Sequence, residues 1–187
     1  MKLDRRQLLA LIPLGLTAAA GLSFWKMLDR MQAGKFDPHD IGNPLLNKPV
    51  PDFALPGLGA APGFGAADVR AAAAQQPILV NFYASWCIPC AEEADILGTV
   101  AAEGIPIWGI SYKDKTVDLQ RYLDKYGNPY KRLADDVTGR VAIDWGVDAV
   151  PESFLIDHAG IIRWHRGGPL TDELVRDELK PALKAIA

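Results

Sequence analysis

The sequence predicts an α/β domain, with a mixed central sheet flanked by helices, behind an N-terminal membrane segment. Three observations carry that expectation. Two apolar, β-rich runs, Ile78 to Ala84 and Ile107 to Tyr112, are each followed by a helical pattern, as in parallel βαβ units. Two further runs, Ser153 to Ile156 and Ile161 to His165, flank the glycine-containing connector Asp157-His158-Ala159-Gly160 and read as an antiparallel hairpin. Finally, Lys2, Arg5 and Arg6 precede an uncharged stretch from Leu8 to Trp25 that Lys26 closes.

As a helix that stretch spans roughly 27 Å, just enough for a bilayer core of about 30 Å. Basic residues stay on the cytoplasmic side, so the rest of the chain is expected across the inner membrane, in the periplasm. The expected division is a cytoplasmic N-terminus (1–7), a transmembrane signal-anchor (8–25), a periplasmic tether (26–51) and the folded domain (52–187). A cleaved signal peptide is the alternative, with Ala18-Ala19-Ala20 as its cleavage site. Arg5-Arg6 also hints at a twin-arginine route. The tether follows from Gly34, Pro38, Gly42, Pro44, Pro49 and Pro51, set in a stretch with little periodicity.

Within the domain, Phe53 to Leu55 reads as a short strand, Gly57 to Gly65 as loop and Ala66 to Gln75 as a short helix. Ile88 to Ala102 is a helix through Ala94, Leu97 and Val100. Thr116 to Tyr126 is another, through Val117, Leu119, Tyr122 and Leu123, stopped by Gly127-Asn128-Pro129. Val137 to Trp145 reads as a shorter helix. Thr171, with Asp172 and Glu173 behind it, starts a terminal one. The chain has 187 residues, of which 49% are hydrophobic and 23% charged, so it can bury a core without disulfide staples. Net charge is -3, with 14 basic against 21 acidic residues beyond Lys35. That balance argues against a nucleic-acid partner, which selects basic patches.

The chemistry centres on the chain's two cysteines, in Trp86-Cys87-Ile88-Pro89-Cys90, on the step from strand to helix. A helix N-terminus presents unsatisfied N–H groups that stabilise a thiolate at Cys87, the attacking species in disulfide exchange. Cys90, one turn inward, is expected to be buried and to resolve the mixed disulfide, while Pro89 removes one N–H between them. Zinc needs four ligands, and His39, His158 and His165 are scattered without metal spacing. No metal and no cofactor are therefore expected.

Val80-Asn81-Phe82-Tyr83-Ala84-Ser85-Trp86-Cys87-x-Pro89-Cys90 resembles the thioredoxin superfamily, which implies a thioredoxin fold. The closer resemblance is to the CcmG/DsbE branch, membrane-tethered thiol–disulfide proteins of cytochrome c maturation. It rests on Ile41-Gly42-Asn43-Pro44-Leu45-Leu46-Asn47-Lys48-Pro49-Val50-Pro51-Asp52-Phe53, Gly109-Ile110-Ser111-Tyr112-Lys113-Asp114, Gly127-Asn128-Pro129-Tyr130, and Gly146-Val147-x-x-Val150-Pro151-Glu152-Ser153-Phe154-Leu155-Ile156-Asp157. The resemblance implies that Cys87 is the exposed nucleophile and Cys90 the resolving thiol, closing as a redox-active Cys87–Cys90 disulfide. It also implies a cis Val150-Pro151 peptide facing the dithiol, and a docking edge to which Trp86 and Pro89 contribute. Glu93 and Glu152 match positions that shape an acidic active-site surface in this branch; by pattern alone Glu93 is a solvated helix residue.

The implied activity is reduction of the Cys-x-x-Cys-His disulfide of apocytochrome c before haem attachment. The implied partners are a transmembrane thiol reductant relay of the DsbD/CcdA type and cytochrome c haem-lyase components. Alternatives are a broader periplasmic reductant or oxidant, or a binding component of cytochrome assembly. Three departures from the family pattern stand out. Asn81 replaces the buried aspartate of thioredoxins, so a base must come from elsewhere, Glu93 or Glu152 through water. The segment after Cys90 lacks the branch's His-Pro, and Asp148-Ala149 replaces an aromatic-Gly pair.

Overall fold

The computed structural model describes residues 5–32 and 43–186. The chain divides into two units, residues 1–41 and 42–187. In the first, helix α1 (Arg5–Gln32) contains the stretch expected to form the anchor. Among the described residues no helix is long and apolar enough to cross a membrane. The side chains of residues 5–12 and 14, the most apolar part of that stretch, lie outside the described residues, as do residues 1–4 and the tether from 33 to 42. Residues 43–51, read from sequence as tether, belong to the domain instead. Asn43 is buried and its amide donates to Trp145 O at 2.9 Å, Val50 is buried, Asn47 N donates to Ile162 O at 2.8 Å and Ile162 N donates back to Lys48 O at 3.0 Å.

The sheet has five strands, β3 (Ile78–Tyr83), β4 (Ile107–Tyr112), β5 (Tyr130–Asp136), β6 (Glu152–Ile156) and β7 (Ile162–Gly167). Their order is β5-β4-β3-β6-β7, with β3, β4 and β5 parallel and β6 and β7 antiparallel. A two-stranded ribbon, β1 (Ala54–Leu55) with β2 (Phe64–Gly65), precedes α2 (Ala66–Ala73). β3 is central and all six of its residues are buried. Its alternation divides the core. Val80 and Phe82 pack with Val69 and Ala73 of α2 and with α6 (Arg140–Asp144); Leu79 and Tyr83 pack with α4 (Ala94–Ala102) and α5 (Thr116–Tyr126).

Two strands escape the sequence pattern. β2 lies in the Gly/Ala/Pro stretch read as loop, where backbone pairing rather than side chains makes the strand. β5 reads Tyr-Lys-Arg-Leu-Ala-Asp-Asp, and its charges mask any alternation, as suits an edge strand. Its buried acids have local partners: Ser111 Oγ donates to Asp135 at 2.6 Å, and Asp136 accepts from Ala142 N at 2.9 Å at the start of α6. The single helix expected over Ile88 to Ala102 is two, α3 (Ile88–Glu92) and α4, broken at Glu93. The terminal helix also comes in pieces, α7 (Asp172–Leu174), a π-helical turn (Val175–Leu179) and α8 (Lys180–Ile186).

Candidate active site

β3 ends at Tyr83, and the turn that follows delivers Cys87 to the N-cap of α3 in an extended conformation. Cys87 and Cys90 form a disulfide. The amide of Cys90 donates to Cys87 Sγ at 3.1 Å. α3 has five residues, so the help that a Cys87 thiolate receives comes from this one aimed N–H rather than from a long helix's dipole. Cys90 is fully buried, as expected; Cys87, expected to be exposed, is buried too and keeps only 5% of its surface, because the Val150–Pro151 turn packs over it. Cys87 Sγ lies 3.3 Å from Val150 O, and the Val150–Pro151 peptide is cis. The turn is rimmed by exposed side chains, Trp86 at 57% and Ile88 at 74%. Trp86 is held by its indole N–H, which donates to Lys113 O at 3.4 Å.

Beneath the cysteines lies a polar network closed off from water. Tyr122 of α5 donates its hydroxyl to Cys90 O at 2.7 Å and so fixes the buried half of the dithiol. Glu93, only 1% exposed, has turned inward at the break between α3 and α4. Its Oε2 accepts from Leu170 N at 2.8 Å and its Oε1 from Asn81 Nδ2 at 3.0 Å. Asn81 also donates to Ser153 Oγ, its cross-strand partner, at 3.1 Å, and its carbonyl accepts the Tyr130 hydroxyl at 2.9 Å. Burial pushes the Glu93 carboxyl up to about 7, against the opposing pull of those two donors. Burial likewise drives the Tyr130 phenol far above its ordinary range, so it stays a donor. Asn81 thus replaces the expected buried acid in position, and Glu93 supplies a titratable carboxyl beside it.

Both glutamates therefore correct the sequence reading. Neither forms an acidic surface, and Glu93 is not a solvated helix residue. Strand alternation puts Glu152, a partner of Phe82, on the opposite face of the sheet from Asn81 and Ser153. There Glu152, 5% exposed, accepts from Asp148 N at 3.1 Å and meets His165 Nε2 at 2.9 Å. It braces the loop that leads to Pro151. His165, Tyr122, Tyr130 and Ser153 were not singled out from sequence. The hairpin register held one usable signal: Phe154 pairs with His165, so period-two alternation brings Glu152 and His165 to one face. Gly109 of β4 leaves the room Tyr130 occupies, since a Cβ there would stand 2.8 Å from its ring.

The comparisons with known proteins agree with this geometry. A model of the AhpC/TSA family matches residues 46–165. HelX of Rhodobacter capsulatus, a thiol:disulfide interchange protein, is 38% identical over 151 residues, covering 81% of this chain and 84% of its own. DsbE of Escherichia coli, also a thiol:disulfide interchange protein, is 37% identical over 171 residues, 91% of each chain. The chain belongs to the DsbE family of thiol:disulfide interchange proteins. A crystal structure of a DsbE protein from Chlorobium tepidum superposes with a TM-score of 0.59 at 25% identity, covering 75% of this chain and 96% of that one.

As a DsbE-family thiol–disulfide oxidoreductase, the chain has one pair of sulfurs to work with. In the order that the resemblance implies for the reducing direction, the Cys87 thiolate attacks one sulfur of a partner's disulfide, and the partner's other sulfur leaves as a thiolate. Cys90, deprotonated, then attacks Cys87 Sγ, which frees the partner's second thiolate and closes the Cys87–Cys90 bond. Two electrons pass to the partner. The site is asymmetric: Cys87 keeps 5% of its surface, and Cys90 is fully buried with its carbonyl held by Tyr122.

Proposed function

We propose that this protein is a membrane-anchored periplasmic reductant that opens the Cys-x-x-Cys-His disulfide of apocytochrome c before haem attachment. The observation that carries the reading is the placing of the Cys87 sulfur, at the N-cap of α3, 3.3 Å from the Val150 carbonyl. A backbone carbonyl beside the nucleophile is what an extended polypeptide needs to dock while its own sulfur is attacked. The family resemblance supplies the substrate. Exposed Leu16, Leu22, Phe24 and Trp25 along α1, preceded by Arg5 and Arg6, support an anchor in the inner membrane. A transmembrane thiol relay of the DsbD/CcdA type returns the electrons, and haem-lyase components receive the reduced apocytochrome.

The test mixes the reduced protein with an oxidised apocytochrome peptide containing Cys-x-x-Cys-His and follows free thiols. The wild type reduces the peptide, Cys90→Ser accumulates a peptide adduct on Cys87, and Cys87→Ser forms none. The equilibrium potential against glutathione fixes the direction. A value near about -270 mV fits a reductant, while one near about -120 mV would replace this reading with an oxidant.

A further inference from the structure

A groove of about 540 Å³ runs beside the dithiol, between the turn after β3 and α5. Lys113, Lys115, Arg121 and Lys125 line it, with Trp86 at the dithiol end. Two carboxylates line it as well, and both are engaged. Asp114 accepts from Ser85 N, Ser85 Oγ and Lys115 N, so it is bound up in holding its own loop. Asp118 pairs with Arg121 at 2.9 Å. Among the described residues, Lys113, Lys115 and Lys125 have no carboxylate partner. Two of them lie over rings instead, Lys113 Nζ 5.0 Å from the Tyr112 centroid and Lys125 Nζ 4.6 Å from that of Tyr126.

This cation surplus runs against the net charge of -3. It is also held in place. Lys113 adopts φ 48°, a left-handed conformation that costs a non-glycine residue energy and that tends to persist at functional sites. The strained residue accepts the Trp86 indole N–H on its carbonyl, and its own amide donates to Asp136 O at 3.0 Å. A hydrogen bond thus joins the cationic loop to the rim of the dithiol.

We propose that this groove seats an acidic polypeptide segment of the redox partner, one whose carboxylates flank the cysteine that joins Cys87 in the mixed disulfide. The proposal rests on the thiol-exchange reading of the site and is independent of which cytochrome or relay is served. In the step itself the partner's S–S bond breaks, the Cys87–partner S–S bond forms, and the departing sulfur leaves as a thiolate. The flanking carboxylates meanwhile lie against Lys115 and Lys125. Such complementarity acts mainly on encounter, raising the association rate and weakening with salt.

The experiment uses the reduced full chain and three disulfide-bridged peptides, identical except for Glu, Gln or Lys flanking the cysteines. Second-order rate constants are measured at about 0.01 M and about 1 M salt, where the Debye length is about 30 Å and about 3 Å. At low salt the Glu peptide is expected to react about 10-fold faster than the Gln peptide, with the Lys peptide slowest. At high salt the spread collapses. In Lys115→Glu/Lys125→Glu the order inverts, a result that mere loss of structure does not produce. Equal rates for the three peptides at low salt, or an unchanged order in the double variant, overturn the proposal. The uncharged hydroxyethyl disulfide separates the two levels. If it is reduced while the peptides show no charge preference, only the groove is wrong; if nothing is reduced, the thiol-exchange reading falls and the groove with it.

Discussion

The two faces of the sheet each bury one glutamate close to the dithiol loops, and the two surroundings differ. On the dithiol face, Glu93 meets only neutral donors, the Leu170 amide and the Asn81 side chain. On the other face, Glu152 meets an imidazole, His165, as well as the Asp148 amide. Burial is nearly the same for both. What differs is whether a group able to carry positive charge stands opposite. Glu93 is pushed up to about 7 by burial and can change protonation near neutral pH, three residues on from Cys90. Glu152, with such a group, is a brace for the loop ahead of Pro151.

The largest expected effect tests the Glu93 side. Its folded value lies above its ordinary 4.5, so the folded state holds the proton more tightly than the unfolded chain does. The stability this gives is complete below about 4.5 and is lost as pH rises through about 7. The loss is on the order of 3 kcal/mol. Urea unfolding at fixed m-value should therefore show the wild type weakening across that window and Glu93→Gln not doing so. A slope that survives the substitution would break the comparison. Next in size is His165→Leu, which leaves Glu152 with one donor and is expected to cost about 1 to 3 kcal/mol. Hydrogen exchange at the Asp148 amide should quicken in that variant and stay unchanged in Glu93→Gln. Smallest is Lys180→Ala, which removes an exposed 2.8 Å pair with Glu103 and should shift stability by less than about 1 kcal/mol. It calibrates what an ion pair is worth here when burial is absent.

Much of the fold was legible in the chain because apolar runs and their punctuation coincide. β4 and α5 match their expected limits, and the hairpin of β6 and β7 stands where its glycine connector placed it. β5 was hidden because four of its seven residues are charged, and only the tertiary fold brings Arg132 to Asp68 and Asp135 to Ser111. The site divides in the same way. Cys87 and Cys90 announce themselves by spacing. Glu93 does not, since Cys90-Ala91-Glu92-Glu93-Ala94 reads as an unbroken helix with two solvated acids. The inward turn is dictated by Leu170 N and Asn81, which lie 77 and 12 residues away. Tyr122 shows the same limit: periodicity marks it as core, and only the tertiary fold puts its hydroxyl on the Cys90 carbonyl.

The missing side chain at Gly109 gives the reactive centre an address outside its own helix. β4 carries no group that touches sulfur, yet the Tyr130 ring stands where a methyl at Gly109 would be. A methyl there would crowd the ring that donates to Asn81, and Asn81 in turn donates to Glu93. One carbon on a silent strand is thus two hydrogen bonds from the carboxyl under Cys90. Tuning of the network beside the dithiol can enter through the neighbouring strand, without any change in the residues a partner would meet.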